Sequence, residues 1–150
     1  MVVRHRCLAG LRSFTPLVMR EPLSYNVGRM KKTFIESSEF TDWIRRYLDD
    51  DTYAAFQQLL LEAPDRGVVI PGCGGLRKIR LADPRRGKGK RGGARVIYLH
   101  VPEVDWIFLL DIYSKDEKDD LTADEKKLLR RLAERFRSEA IAGAKRKGDK

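Results

Sequence analysis

Two neighbouring stretches, Ala94 to Val101 and Trp106 to Tyr113, consist largely of β-branched, aromatic and aliphatic residues, with Pro102-Glu103 between them. Such residues suit the packed, pleated surface of a sheet, and the short break reads as a turn, so the pair predicts a β-hairpin. Gly67 to Ile70 adds a short candidate strand, and Leu76 to Leu81 alternates as a strand does. Between them lies Pro71-Gly72-Cys73-Gly74-Gly75, a loop. Residues 83–93, Asp-Pro-Arg-Arg-Gly-Lys-Gly-Lys-Arg-Gly-Gly, offer nothing to pack and form a second, strongly basic loop.

Helical periodicity brackets this strand-rich centre. Lys32 to Glu36 is strand-like, and Ser37 or Ser38 can then cap a helix by accepting an unpaired backbone N–H. Phe40, Trp43, Ile44, Tyr47 and Leu48 follow as one apolar stripe. Asp49-Asp50-Asp51 opens a second helix, where acids suit the dipole, with Phe56, Leu59, Leu60 and Ala63 on its apolar face. Thr122 and Glu125 have the spacing of a capping box, ahead of the stripe Leu128, Leu129, Leu132, Ala133 and Phe136. The order β-α-α-β-β-β-α predicts an α+β fold with a mainly antiparallel sheet, a two-helix hairpin on one side and a C-terminal helix. The helices are expected to cover one face and leave the other open.

A length of 150 residues fits one domain. The expected boundaries are an N-terminal extension over 1–29, outside the fold and with Met30 as the natural beginning, a domain over 30–140, and a basic frayed tail over 141–150. The longest bulky apolar run, Trp106 to Leu110, falls far short of the roughly 20 residues that cross a bilayer, so no membrane partner is expected. Cys7, Cys73, His5 and His100 are too few and too scattered for a structural zinc site or a disulfide framework, and a reducing cytoplasm is the natural compartment.

The formal charge is +9, and residues 65–98 alone hold ten basic side chains against two acidic ones. A field concentrated in one segment attracts polyanions, which points to nucleic acid. Lys78 and Arg80 share a strand face because the side-chain period is two. The glycines around Lys88, Lys90 and Arg91 would let the backbone approach a phosphate, while Tyr98 and Tyr113 could stack on an unpaired base. Lys88-Gly89-Lys90 lacks the upstream pattern of a P-loop, so nucleotide hydrolysis is not expected. Both alternating sets of residues 94–101 are largely apolar, which leaves the face of Arg95 open. His100 and Cys73 have no sequence partner that would make them catalytic, and His100 reads as structural.

Three segments carry a family resemblance: Gly74-Gly75-Leu76-Arg77-Lys78-Ile79-Arg80, then Gly87 through Tyr98, then Tyr113-Ser114-Lys115-Asp116-Glu117-Lys118-Asp119-Asp120-Leu121-Thr122. In this order they resemble the HigB branch of the RelE/ParE toxins of bacterial type II toxin–antitoxin pairs, over about Met30 to Arg137. The resemblance implies a small RelE-like fold and a ribosome-dependent mRNA endonuclease that transfers a phosphodiester to its own 2′-hydroxyl, with neither metal nor cofactor. It implies mRNA, the ribosome and a cognate antitoxin of DNA-binding, helix-turn-helix type as partners. Lys78 and Arg80 match the family's basic strand pair, with Arg in place of its second Lys, and Arg95 matches its phosphate-binding Arg. Tyr113 and Lys115 lie near its C-terminal active-site segment. Arg77, Lys88, Lys90, Arg91, Tyr98 and Lys118 are the expected RNA contacts. A gyrase-inhibiting, ParE-like toxin and a non-catalytic RNA-binding protein are the alternatives.

Overall fold

The computed structural model describes residues 23–27, 30–82, 93–114 and 121–148. The elements run β1 (Leu23–Val27), β2 (Met30–Glu36), α1 (Ser38–Tyr47), α2 (Asp50–Glu62), β3 (Val68–Val69), β4 (Arg77–Leu81), β5 (Ala94–Val101), β6 (Trp106–Ser114) and α3 (Ala123–Gly148). One sheet holds the strands in the order β1-β2-β6-β5-β4-β3. β2 runs parallel to β6 and every other pair is antiparallel. The fold is therefore α+β, with the β5–β6 hairpin at its centre.

The open face expected from the sequence is not present. Phe40, Ile44, Phe56 and Leu60 of the α1–α2 hairpin pack on Phe34, Ile79, Val96, Ile107, Leu109 and Ile112. Leu129, Leu132, Ala133 and Phe136 of α3 pack on the opposite side, against Ile97, Leu99, Val101, Phe108 and Leu110. β5 is apolar at both alternating sets because both of its faces are covered, as in a central strand between helical layers. Phe108 and Phe136 stack with centroids 5.2 Å apart, tying α3 to β6.

Local chemistry sets the element ends. Ser37 caps α1 by accepting from Phe40 N at 2.9 Å, and Asp49 caps α2 by accepting from Thr52 N at 2.7 Å. The predicted capping box starts α3: Glu125 N donates to Thr122 Oγ1 at 3.2 Å and Thr122 N to Glu125 Oε1 at 3.3 Å. The loop after β3 is fastened to α3 by Arg137, whose Nη2 donates to Gly74 O at 2.9 Å. Gly75 beside it has φ +92°, and a Cβ there would sit 2.7 Å from the same Nη2.

Two differences concern the ends of the chain. β1 lies within the stretch expected to stand outside the fold, and it pairs with β2 from Leu23↔Phe34 to Val27↔Met30. α3 continues to Gly148, through most of the 141–150 stretch expected to fray, and Ala140 is buried while Ile141 packs on the α3-side core. Among the described residues, no helix is long and apolar enough to cross a membrane.

Candidate functional site

The registers of three strands set the site. Arg80 pairs with Arg95 across β4–β5, and Arg95 pairs with Tyr113 across β5–β6, so the three lie in one row. One step along the strands, Lys78 pairs with Ile97 and Ile97 with Asp111. Ile97 belongs to the core beneath α3, which places Lys78, Arg80, Arg95, Asp111 and Tyr113 on that same sheet face by the two-residue side-chain period. This settles the face of Arg95.

A β-bulge makes the row possible. Tyr98 pairs with Leu109 but Ile97 pairs with Asp111, leaving Leu110 as the extra residue on β6. An inserted residue reverses the parity of everything beyond it. Without it Tyr113 would turn toward the α1–α2 core, where Ile112 now lies, and Ile112 would take its place beside Arg95. Helix α1 holds the bulge: Ser37 Oγ donates to Leu110 O at 2.6 Å, and Ser37 N donates to Leu109 O at 2.9 Å.

Burial grades the site from floor to rim. Arg95 is 5% exposed and Asp111 4%, while Tyr113 is fully packed, Lys78 half-buried and Arg80 exposed. Arg95 Nη1 donates to Gly93 O at 3.3 Å, and Asp111 Oδ1 accepts from Ile112 N at 2.9 Å. Arg95 and Asp111 are diagonal neighbours on one face, a spacing that long side chains bridge. A guanidinium fixed in a dry floor, flanked by an outer lysine and arginine, can hold a phosphate and the extra negative charge of a pentavalent phosphorus.

Two residues expected to contact RNA lie on the other face. Tyr98 is fully buried, with its hydroxyl donating to Pro64 O and accepting from Gly67 N, both at 2.8 Å. Burial first, against the opposing pull of the Gly67 hydrogen bond, pushes its phenol pKa up. Its ring has no surface left for a base. Arg77 alternates away from Lys78 and donates from Nη1 to Asp65 O at 3.0 Å and Gly67 O at 2.8 Å. Together they fasten the turn after α2. His100 joins them, with Nδ1 3.1 Å from Asp65 Oδ1, which agrees with its structural reading. Tyr113 likewise contributes to the α3-side core instead of presenting a free ring. Lys88, Lys90, Arg91, Lys115 and Lys118 lie outside the described residues. Cys73 is buried, its thiol 3.8 Å from Lys126 O.

Asp111 and Ser37 were not expected here. Asp111 is the single charge in the run Trp106 to Tyr113, and that isolation was a readable signal. Ser37 was readable as a cap, whereas its second bond depends on tertiary structure.

A family model described as RelE toxin of RelE / RelB toxin-antitoxin system matches residues 40–146.

Proposed function

The chain belongs to the RelE toxin family of toxin–antitoxin systems, and on that premise we propose that it is an endoribonuclease that cuts mRNA on the translating ribosome. The observation that supports this reading most is the row Arg80–Arg95–Tyr113 with Lys78 beside it on one face. In the proposed reaction a ribose 2′-oxygen attacks the adjacent phosphorus and the P–O5′ bond breaks. The products are a 2′,3′-cyclic phosphate and a 5′-hydroxyl. One proton leaves the 2′-hydroxyl and one reaches the departing 5′-oxygen, so the overall step is proton-neutral.

Arg95 is the fixed counter-charge for the phosphorane, since its burial removes the need to reorganise solvent as charge develops. Arg80, at the rim, captures the phosphate bidentately and stays protonated throughout. Lys78 is the residue of the set suited to moving a proton, because an amine can exchange one where a guanidinium cannot. Tyr113 and Asp111 flank Arg95 from the neighbouring strand and act as positioning residues. The proposed partners are mRNA, the ribosome and a cognate antitoxin of the DNA-binding, helix-turn-helix kind, and the proposed compartment is the cytoplasm.

Induced expression followed by mapping of mRNA 5′ ends tests the reading. Cuts inside translated codons, lost in the Lys78→Ala/Arg95→Ala double variant, are expected. Intact mRNA with DNA-damage signalling would instead select a gyrase-inhibiting toxin on the same scaffold.

A further inference from the structure

The sheet separates two helical layers of opposite charge. Residues 38–62, which form α1 and α2, hold six acidic side chains against Arg45 and Arg46, a net −4. Helix α3, Ala123–Gly148, holds nine basic side chains against four acidic ones, a net +5. Soluble surfaces more usually intersperse both signs. Helix stability does not account for the acidic layer. Asp49, Asp50 and Asp51 suit the start of α2, but Asp42 lies within α1, and Glu62 ends α2. A carboxylate there opposes the dipole, and the last turn of α2 has no basic residue to offset it. Asp42, Asp51 and Glu62 are exposed, and none of them has an ion-pair partner among the described residues.

On α3 the pattern is reversed. Glu134 and Glu139 are engaged by Arg130 and Arg135 at 3.1 and 2.8 Å, and Arg137 is engaged by Gly74 O. Lys127 and Arg131, exposed and about one turn apart, are left without a partner among the described residues. The outer surfaces of the two layers are separated by at least two helix diameters, about 20 Å. The screening length at physiological ionic strength is only about 8 Å. An approaching polyanion therefore feels the layer it faces and not the chain's total of +9.

We propose that the acidic α1–α2 layer is an orientation filter: it repels phosphate backbones, so that RNA is held only on the α3 side, where Lys78, Arg80 and Arg95 lie. Asp42, Asp51 and Glu62 are then specificity residues that never touch the substrate. They raise the share of encounters that reach the cationic row, and they keep a basic chain from coating RNA in unproductive orientations. The inference deepens the RNA-cleaving reading and rests on the row being the face that meets RNA.

A short 2′-O-methyl oligonucleotide carrying 4-thiouridine is the probe, since it can be photo-crosslinked but lacks the attacking hydroxyl. Mixed with the full-length chain at low salt, it should crosslink to peptides of β4–β6 and α3 and spare α1 and α2. The test variant is Asp42→Asn/Asp51→Asn/Glu62→Gln, whose exposed substitutions leave the circular dichroism unchanged. In it the share of crosslinks on α1 and α2 should rise about threefold or more, the scale of three surface charges acting on phosphates through solvent. That rise should vanish at about 1 M salt, where screening acts within about 3 Å. Equal crosslinking of both layers in the wild type, or an unchanged share in the triple variant, would overturn the proposal. The expected shift without any cutting of mRNA would support the filter and reject only the nuclease reading. Cutting of mRNA with an unchanged share would reject only the filter.

Discussion

The hydroxyl of Ser37 serves two elements at once, accepting from Phe40 N at 2.9 Å to cap α1 and donating to Leu110 O at 2.6 Å to hold the bulge of β6. A residue at the start of a helix therefore stabilises the register that brings Tyr113 beside Arg95.

Ser37→Ala removes the cap and leaves a buried carbonyl without its donor, so unfolding stability should fall by about 2–4 kcal/mol, read from urea denaturation. Hydrogen exchange should rise at Asp111, Ile112 and Tyr113 more than at the α3 contacts of Leu99 and Phe108. Equal changes at both places would show that the bulge does not depend on this bond.

Tyr98→Phe leaves Pro64 O and Gly67 N without a partner and should cost about 1–3 kcal/mol while mRNA cleavage by the folded protein stays intact. Loss of cleavage without loss of stability would return Tyr98 to the RNA surface. Gly67→Ala should destabilise as well, since its Cβ would lie 2.7 Å from the Tyr98 ring.

Burial raises the Tyr98 phenol above its ordinary value of 10.0, so the folded state holds that proton more tightly than the unfolded one. The resulting stability is fully present below pH 10 and is lost as pH rises through the folded-state value. Alkaline unfolding should therefore steepen above this point in the wild type, and Tyr98→Phe should flatten that limb in a denaturant series.

Arg95→Lys keeps the charge but loses the forked donor geometry. Cleavage in a cell-free translation mixture should drop about 100-fold, with binding of uncut RNA changed far less. A matching loss in both would make Arg95 an affinity residue only.

Asp111→Asn preserves shape and removes the carboxylate that lies diagonal to Arg95. We expect about a tenfold lower cleavage rate, chiefly in kcat, as for a residue that positions a transition-state contact. An unchanged rate would confine Asp111 to its bond with Ile112 N.

Much of this was legible because it depends on local periodicity. The α1 stripe, the Thr122–Glu125 box and the β5–β6 hairpin each follow from side-chain spacing. So does the shared face of Lys78 and Arg80. The face of Arg95 was not legible, since its neighbours at both parities are apolar, a pattern that arises when a strand is covered on both sides. Tyr98 and Tyr113 looked equivalent as strand tyrosines. The bulge at Leu110 places them on opposite faces, and nothing in the run Trp106 to Tyr113 marks an inserted residue. Arg77 looked like one cation among several, and only its closeness to Asp65 and the Gly67 carbonyl reveals a fastening role. β1 escaped notice because residues 23–27, Leu-Ser-Tyr-Asn-Val, sit in a stretch without a sustained period.

The parallel seam between β2 and β6 also governs when the molecule can become harmful. Thr33 meets Trp106 there, and Ser37 reaches Leu110 across 73 positions of chain. Contacts that distant form late, after the intervening segments have been synthesised and released from the exit tunnel. A nascent chain halted before Ser114 lacks the strand that completes the row, so the cationic face is assembled only after most of the chain has been made.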